Sequence, residues 1–342
     1  MRIAIVNDLS LAQAVLIRLI ESVPGYSVAW TAKDGAEAVR CAAADVPDAI
    51  LMDLLMPVMD GAEATRRIMA SSPCPILVVT STVSGNYGKV YEALGAGGLD
   101  ATETPTFGPG NKVQGGQPIL HRLALLAKAK GATPKGIAEH VIAAAPSAPD
   151  TFPRAAPLVA IGASTGGPEA IAQVLSAMAP TLPGPVVVIQ HIAANFAGGL
   201  ATWLQSRTGL LVAAAQEGTE PVAGRVYLAA SNDHLVLRPN RRFAYTVDPQ
   251  DYPYRPSVNV FFQSLAVSWP RPGIAVLLTG MGTDGAVGLA RLKNAGWHTI
   301  AQDKSSCVVY GMPRAAEEMG AAVEVLSLAQ IGNTLKDRLR KW

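Results

Sequence analysis

Twice along this chain, short apolar runs rich in β-branched residues alternate with segments of helical period, and a stretch dense in Pro and Ala separates the two series. Most of these runs are apolar on both faces, so each strand they form must be covered on both sides. A parallel sheet between two layers of helices does this. From Met1 to about Lys130 the strand-like runs include IAIV, YSVAWTA, AILMDLL and PILVVT. LAQAVLIRLIESV, GAEAVRCAAA, GAEATRRIM and finally PILHRLALLAKAK read as helices between and after them. From Pro157 onward, LVAIGAS, PVVVIQH, GRVYLAA, HLVLRP, GIAVLLTGM, TIAQD and AAVEVLS supply strands, and PEAIAQVLSAM, GGLATWLQSR and AVGLARLKNAG supply helices. The series share no internal repeat, so two different α/β domains are expected, over residues 1–130 and 157–342. Residues 131–156, with Pro134, Pro146, Pro149 and Pro153, read as a linker carrying one short helical piece around IAEHVIAA. The Gly- and Pro-rich stretch from Pro105 to Pro118 reads as a loop before the last helix of the first domain.

Composition narrows the class of function. With 49% of residues apolar and 16% charged, the chain can build two packed cores and is not a disordered one. A formal net charge of +2 gives no reason to expect nucleic acid or an anionic membrane as partner, so function must come from local sites. Cys41, Cys74 and Cys307 are widely spaced and lack metal-like pairing, as reduced thiols of a cytoplasmic protein would. The opening MRIAIVND is a strand pattern rather than the basic-then-apolar pattern of a secretory leader, and no apolar run is long enough for stable membrane insertion. A cytoplasmic location is expected.

In the first domain Asp8 follows the first strand, Asp53 ends the run AILMD and Thr80 ends PILVVT. The C-terminal ends of parallel strands share one edge, so these oxygen-bearing side chains converge where open α/β sheets bind ligands. Asp8 and Asp53 suit Mg²⁺, which takes oxygen ligands and neutralises an incoming phosphoryl group, and Asp53 can act as the nucleophile. Taken singly, each residue reads equally well as a helix cap or a solvated loop residue. The string LMDLLMPVMDGAEATRRI changes that balance, because Asp53, Met56-Pro57 and Asp60-Gly61 together resemble the phosphorylation segment of bacterial response-regulator receivers. The resemblance covers residues 1 to about 130 and implies a CheY-like, flavodoxin-like fold with strand order 2-1-3-4-5. It also implies phosphoryl transfer to Asp53 from a CheA-like histidine kinase. Two positions depart from the pattern: the acidic pair reads Asn7-Asp8, and the lysine expected before the proline of LDATETP is Thr104. Both remove charge from the site, and Lys112 is the nearby group able to substitute.

The second domain opens on VAIGASTGGPEAIAQVL, where a strand runs into Ser164 and a helix follows after two glycines. Gly162-Ala163-Ser164-Thr165-Gly166 fits the G-x-S-x-G elbow, which exposes a serine hydroxyl at a sheet edge near the backbone donors of a helix N-terminus. The same Gly-rich turn is compatible with a phosphate or dinucleotide, so the serine needs a base beside it. His121 lies in the last helix of the first domain, His140 in the linker, His234 in a hairpin strand and His298 just before a strand. His191 alone directly follows a buried-looking strand, VVVIQ. Asp284 follows GIAVLLTG and can orient the imidazole, with Asp303 after TIAQ as the rival acid. The order Ser164, His191, Asp284 differs from the Ser-Asp-His order of α/β-hydrolases and disfavours that fold.

IGASTGGPEAI, VVVIQHI, RPSVNVFF and LLTGMGTDGAVGL resemble the four signature segments of the CheB protein-glutamate methylesterase domain, set here behind a receiver and a linker. The resemblance implies a doubly wound parallel-sheet domain with Ser164 as nucleophile, His191 as general base and acid, and Asp284 as orienter. The backbone around Thr165 and the neighbourhood of Met281 are then expected to stabilise the oxyanion, with no cofactor in this domain. It further implies a methyl-accepting chemoreceptor as substrate, deamidation of receptor glutamines, and control by phosphorylation of Asp53. NDLSLA and LMDLLMPVMDGAEATRRIM are most similar to the WspF type within that family. Two readings compete. A DNA-binding response regulator needs a helix-turn-helix and a basic output face, whereas the clearest basic cluster here is the tail LKDRLRKW. A nucleotide-binding enzyme needs a full G-x-G-x-x-G, which is not present after LVAIG.

Overall fold

The computed structural model describes residues 1–81, 87–129, 157–250, 252 and 254–341. The chain divides into two compact units, Met1–Gly136 and Ile137–Trp342. The expected linker over 131–156, with its helical piece and His140, lies outside the described residues.

In the first unit β1 (Arg2–Val6), α1 (Ser10–Glu21), β2 (Ser27–Ala32) and α2 (Gly35–Ala44) are followed by β3 (Ala49–Met52) and α3 (Gly61–Ser71). β4 (Ile76–Thr80), α4 (Tyr87–Gly95) and β5 (Asp100–Glu103) complete a five-stranded parallel sheet of order β2-β1-β3-β4-β5. Successive strand residues feed opposite faces. Ile3, Ile5, Ala49 and Leu51 pack with Leu16, Ile20, Ile119 and Leu123 on one side. Ala4, Val6, Ile50 and Met52 pack with Ala38, Ala42, Ala64 and Ile68 on the other. Both faces of the central strands are therefore dry, and the sheet's C-terminal edge is where polar groups can gather.

The stretch expected as a loop holds a small antiparallel hairpin instead, β6 (Thr106–Phe107) with β7 (Val113–Gln114), before α5 (Gln117–Ala129). Strands of two residues are too short to show a period, and the glycines that permit the intervening turn read from sequence as loop.

The second unit begins with β8 (Val159–Ala163), α6 (Gly167–Met178), β9 (Val186–Gln190), α7 (Ala194–Thr208), β10 (Leu211–Ala214) and β11 (Arg225–Leu228). An antiparallel hairpin, β12 (His234–Leu237) with β13 (Phe243–Thr246), precedes α8 (Val258–Ser268) and β14 (Ile274–Leu277). The chain closes with α9 (Ala286–Asn294), β15 (His298–Gln302), α10 (Met312–Glu318), β16 (Glu324–Leu326) and α11 (Leu328–Arg340). His298 is the first residue of β15 rather than a residue before it. Seven parallel strands run in the order β10-β11-β9-β8-β14-β15-β16. The chain moves outward from β8 to β9 and on to the edge strand β10, steps back to insert β11 between them, then crosses to the other side of β8 for β14, β15 and β16. The order therefore reverses between β8 and β14, which is where a doubly wound sheet opens a crevice at its C-terminal edge. Among the described residues, no helix is long and apolar enough to cross a membrane.

Candidate active site and phosphoacceptor site

Ser164 leaves the central strand β8 at this reversal. Its neighbours follow from register: Ala163 pairs with Gln190 on β9, so Ser164 and His191 step off adjacent strands side by side. The Ser164 N–H donates to the Thr279 carbonyl (3.0 Å) on the β14 side, and the His191 N–H donates to the Ala163 carbonyl (3.0 Å). The turn that follows is tight. Gly167 N–H and Gln190 Nε2 both donate to the Ser164 carbonyl, each at 2.8 Å, and the Thr279 hydroxyl donates to the Thr165 carbonyl at 3.0 Å. Gly166 sits at φ +76°, where a side chain would be strained. A Cβ on Gly167 would overlap Oε1 of Gln190. The glycines of the elbow thus serve one positive φ and one close approach.

Asp284, in the loop after β14, reaches His191. Its Oδ2 lies 2.8 Å from Nε2 of the imidazole, and both side chains are more than nine-tenths buried. Three further donors hold the carboxylate: the Ser257 hydroxyl (2.8 Å), the Val258 N–H (2.7 Å) and the Asn259 N–H (3.0 Å). Those groups are the N-cap and first turn of α8, whose unsatisfied N–H groups favour an anion. Burial pushes the Asp284 carboxyl up, but the His191 bond and charge, the Asn259 N–H and the Ser257 hydroxyl together hold it below the usual carboxylate range. An ionised Asp284 makes Nε2 the protonated ring nitrogen and leaves Nδ1 as the basic lone pair. Nδ1 is buried and has no hydrogen-bond partner, so its lone pair is open to a donor.

Asp303, the rival acid, is engaged elsewhere, accepting from the Ser305 hydroxyl (2.9 Å), the Ser306 hydroxyl (2.6 Å) and the Ser306 N–H (3.0 Å). Burial pushes the nearby Cys307 thiol up to about 12, so it stays protonated and is no competing nucleophile. Met281 is buried in the same loop as Asp284, and the neighbouring Gly280 is so close to the elbow that a Cβ there would sit 2.8 Å from the Ser164 Cβ. Thr165 adjoins Ser164 in the chain, and the loop that carries Met281 passes close to the elbow. Sequence reasoning did not single out Gln190, Ser257, Tyr254 or Thr279. The segment RPSVNVFF did carry one signal: Ser257 ahead of an apolar run is an N-cap pattern.

In the first unit Asp53, at the end of β3, is buried and accepts from the Leu54 N–H (2.7 Å) and from Nδ2 of Asn7 (2.9 Å). Burial raises its carboxyl to about 6, with the negative charge of Asp8 adding to the rise and the N–H groups of Leu54 and Leu55 opposing it. Asp8 is exposed and Thr80 is buried at the end of β4. Asp60 caps α3 and pairs with Lys89, while a Cβ on Gly61 would overlap the Asp53 carbonyl oxygen. The Asp-Gly of the signature thus lets α3 start directly against the acceptor residue. The Thr104 hydroxyl is buried without a hydrogen-bond partner, and Lys112 is exposed. Among the described residues no group of three or more His, Cys, Asp or Glu side chains is placed to hold a metal ion. Asp8 and Asp53 nevertheless fit a divalent cation, since the proximity of two carboxylates, one of them buried, is what such an ion relieves.

The fold and the two edges define a class: a receiver joined to an α/β domain that carries a serine, a histidine–aspartate pair and a reversal-point crevice. Comparison with known proteins agrees with this. Residues 159–335 match the CheB methylesterase family and residues 3–101 match the response regulator receiver domain. The protein-glutamate methylesterase/protein-glutamine glutaminase 2 of Cupriavidus metallidurans is 49% identical over 98% of this chain and 97% of its own length. The protein-glutamate methylesterase/protein-glutamine glutaminase 3 of Pseudomonas aeruginosa is 45% identical over 98% of this chain and 99% of its own. The crystal structure of the Thermotoga maritima CheB methylesterase catalytic domain is 34% identical, with a TM-score of 0.51, and covers 54% of this chain and 100% of that domain. The chain belongs to the CheB methylesterase family, with a response-regulator receiver domain at its N-terminal end.

Proposed function

We propose that this protein is a phosphorylation-controlled protein-glutamate methylesterase that also deamidates glutamine, acting on chemoreceptors by a Ser-His-Asp mechanism. The observation that carries the reading is the buried His191–Asp284 pair, which leaves an unpartnered Nδ1 on the residue next to Ser164. In this mechanism His191 Nδ1 takes the proton of the Ser164 hydroxyl as Oγ attacks the side-chain carbonyl of a methylated glutamate. Nδ1 returns the proton to the departing methoxide, and methanol leaves. Water then gives its proton to Nδ1 and attacks the acyl carbon, and the glutamate separates as the serine regains its proton. With a glutamine substrate, ammonia leaves in place of methanol. The backbone around Thr165 and Met281 serves the oxyanion.

Control enters at the other edge. Asp53 takes the phosphoryl group from a CheA-like histidine kinase, with Asp8 and Asp53 as the residues that would hold Mg²⁺, which neutralises phosphoryl charge. The 45–49% identity of full-length relatives bearing the methylesterase/glutaminase name supports the substrate class. Assignment to the WspF type rests on the N-terminal segments NDLSLA and LMDLLMPVMDGAEATRRIM. A cytoplasmic location follows from a substrate that presents its glutamates on that side of the membrane.

Methanol release from methylated receptor membranes, measured with and without a phosphodonor, tests the reading. Release that is stimulated by the donor, and lost in Ser164→Ala and in Asp53→Ala plus donor down to the unstimulated rate, is the expected outcome. A Ser164→Ala protein with full turnover overturns the serine mechanism.

A further inference from the structure

The His191–Asp284 pair has an aromatic cover that no part of the mechanism above uses. Tyr254 lies flat on the His191 imidazole, ring centroids 4.3 Å apart and planes within 6° of parallel. Its hydroxyl sits over the turn that carries Met281 and Asp284: Gly282, at φ +85°, would place a Cβ 3.1 Å from it. Glycine at 282 therefore serves both the backbone conformation and the room for the phenol.

The chain around Tyr254 is tied to the same pair. Ser257, three residues on, caps α8 and donates to Asp284. Its N–H donates to Nδ1 of His234 (3.1 Å), which leaves the proton of that ring on Nε2 to donate to the Pro249 carbonyl (3.1 Å). Arg255 donates to the Gln250 carbonyl (2.6 Å), and Tyr252 meets the His234 ring edge-on at 6.1 Å. His234, fully buried, is thus the anchor from which one short stretch supplies Ser257 to the acid and Tyr254 to the base.

A single hydrogen bond fixes one point of an imidazole. With Nε2 held by Asp284 and the ring tethered at Cγ, torsional play about the Cβ–Cγ bond remains, and that rotation tilts the ring plane and swings Nδ1 toward or away from the serine. A flat ring packed on its face removes this freedom at little cost, because aromatic contact is broad and tolerant of lateral shift. We propose that Tyr254 is a positioning residue for the base: its ring face sets the plane of the His191 imidazole so that Nδ1 addresses the Ser164 hydroxyl. The role is in turnover and not in substrate binding, and it rests on the Ser-His-Asp reading above.

The test uses the full-length protein with phosphodonor and methylated receptor membranes, and reads kcat and KM separately for Tyr254→Phe, Tyr254→Leu and Tyr254→Ala. A second readout is the NMR shift of the His191 ring protons, assigned with His191→Gln, which a stacked aromatic ring moves upfield. Thermal unfolding confirms that each variant is folded, and the leucine retains bulk where alanine leaves a gap. Tyr254→Phe is expected to keep at least about half of kcat, whereas leucine and alanine lose on the order of 10- to 100-fold, the scale of a displaced catalytic group. KM stays within about twofold, the mark of an interaction made in the transition state rather than in uniform binding. The upfield shift persists in the phenylalanine variant and vanishes in the other two.

Three outcomes overturn the proposal. Leucine and alanine variants with unchanged kcat show that the stack sets nothing. A raised KM at constant kcat makes Tyr254 a substrate contact, and a phenylalanine variant as slow as alanine assigns the effect to the hydroxyl. Ser164→Ala in parallel separates the two levels: full turnover there removes the Ser-His-Asp reading itself, while an inactive Ser164→Ala beside an unaffected Tyr254→Ala removes only the role of the tyrosine.

Discussion

Replacing Asp284 by Asn tests the site at the group on which most of its order depends. The carboxylate accepts from four donors, His191 Nε2, the Ser257 hydroxyl, Val258 N–H and Asn259 N–H. An amide of the same shape has one accepting atom. If its oxygen faces His191 and Val258, its NH₂ faces the Asn259 N–H, donor against donor, and only the Ser257 hydroxyl can rotate to accept. If it is flipped, the NH₂ meets His191 and Val258 instead, and the imidazole is driven to the tautomer with its proton on Nδ1, where the base is needed. Loss of one charge-assisted bond and the orphaning of a buried N–H cost about 2 kcal/mol of stability. Loss of the negative charge and of the tautomer costs activity on the order of 10³- to 10⁴-fold in kcat. Because the folded state holds the Asp284 carboxyl below its ordinary value, its contribution is fully present above the unfolded pKa of about 4 and is lost as pH falls through the folded value. The stability gap between the parent protein and the Asp284→Asn variant is therefore full at neutral pH and closes in acid. Methanol release gives kcat, and denaturant melts at neutral and acidic pH give the gap. An Asp284→Asn enzyme that retains a tenth of its activity, or an Asp303→Asn enzyme that loses as much, refutes the assignment of the orienting acid.

Gly167→Ala places a methyl group on Gln190 Oε1 and against Ala163, so the elbow must open; methanol release is expected to fall to background, and the melt to show a loss of about 1–3 kcal/mol. Asp53→Asn removes a carboxyl raised to about 6, whose ionisation costs stability that is lost as pH rises from about 4 through that value. The amide sets its NH₂ against either Asn7 Nδ2 or the Leu54 N–H, a cost independent of pH; relative to the parent, Asp53→Asn should therefore gain about 2 kcal/mol between pH 4 and neutral pH, read by melts at both. Asn7→Asp is expected to tighten Mg²⁺ binding, followed by titration of tryptophan fluorescence, since it adds a third carboxylate beside Asp8 and Asp53. Thr104→Lys turns a buried, unpartnered hydroxyl into an ammonium for the phosphoryl oxygens and should raise stimulation by a phosphodonor; if Lys112 already supplies that charge, Lys112→Ala abolishes stimulation and Thr104→Lys changes little.

Where a strand is buried on both sides, the sequence shows it plainly. AILM and ILVVT in the first domain, and VAIGA and VVVIQ in the second, are continuous apolar runs because helices cover both faces. The two-residue strands β6 and β7 carry no such pattern, and their hairpin read as a loop. Strand order was a further step. It came for the receiver from resemblance, and for the second domain nothing in the runs themselves tells that β14 returns to the far side of β8.

The site divides along the same line. Ser164 and His191 each stand directly after a buried strand and Asp284 in the loop after β14, and a parallel sheet collects such positions on one edge, so periodicity brings them to the same side while their roles are what the family resemblance implies. Choosing Asp284 over Asp303 is different in kind. Both follow neighbouring strands, β14 and β15, and Asp303, directly at the end of β15, fits the strand-end pattern the more closely. What separates them is α8: its first turn lies against the Asp284 loop, with Ser257, Val258 and Asn259 donating to that carboxylate, while Asp303 turns back on Ser305 and Ser306. A helix N-terminus pointing at a loop from a distant part of the chain leaves no local period to read. The groups that set the chemistry of the base, Ser257 through the acid and Tyr254 through the ring, both come from the connection between β13 and α8, which packs across the edge rather than belonging to it. The sheet therefore determines which side chains meet, and an irregular segment outside the sheet determines which nitrogen of His191 is free to act.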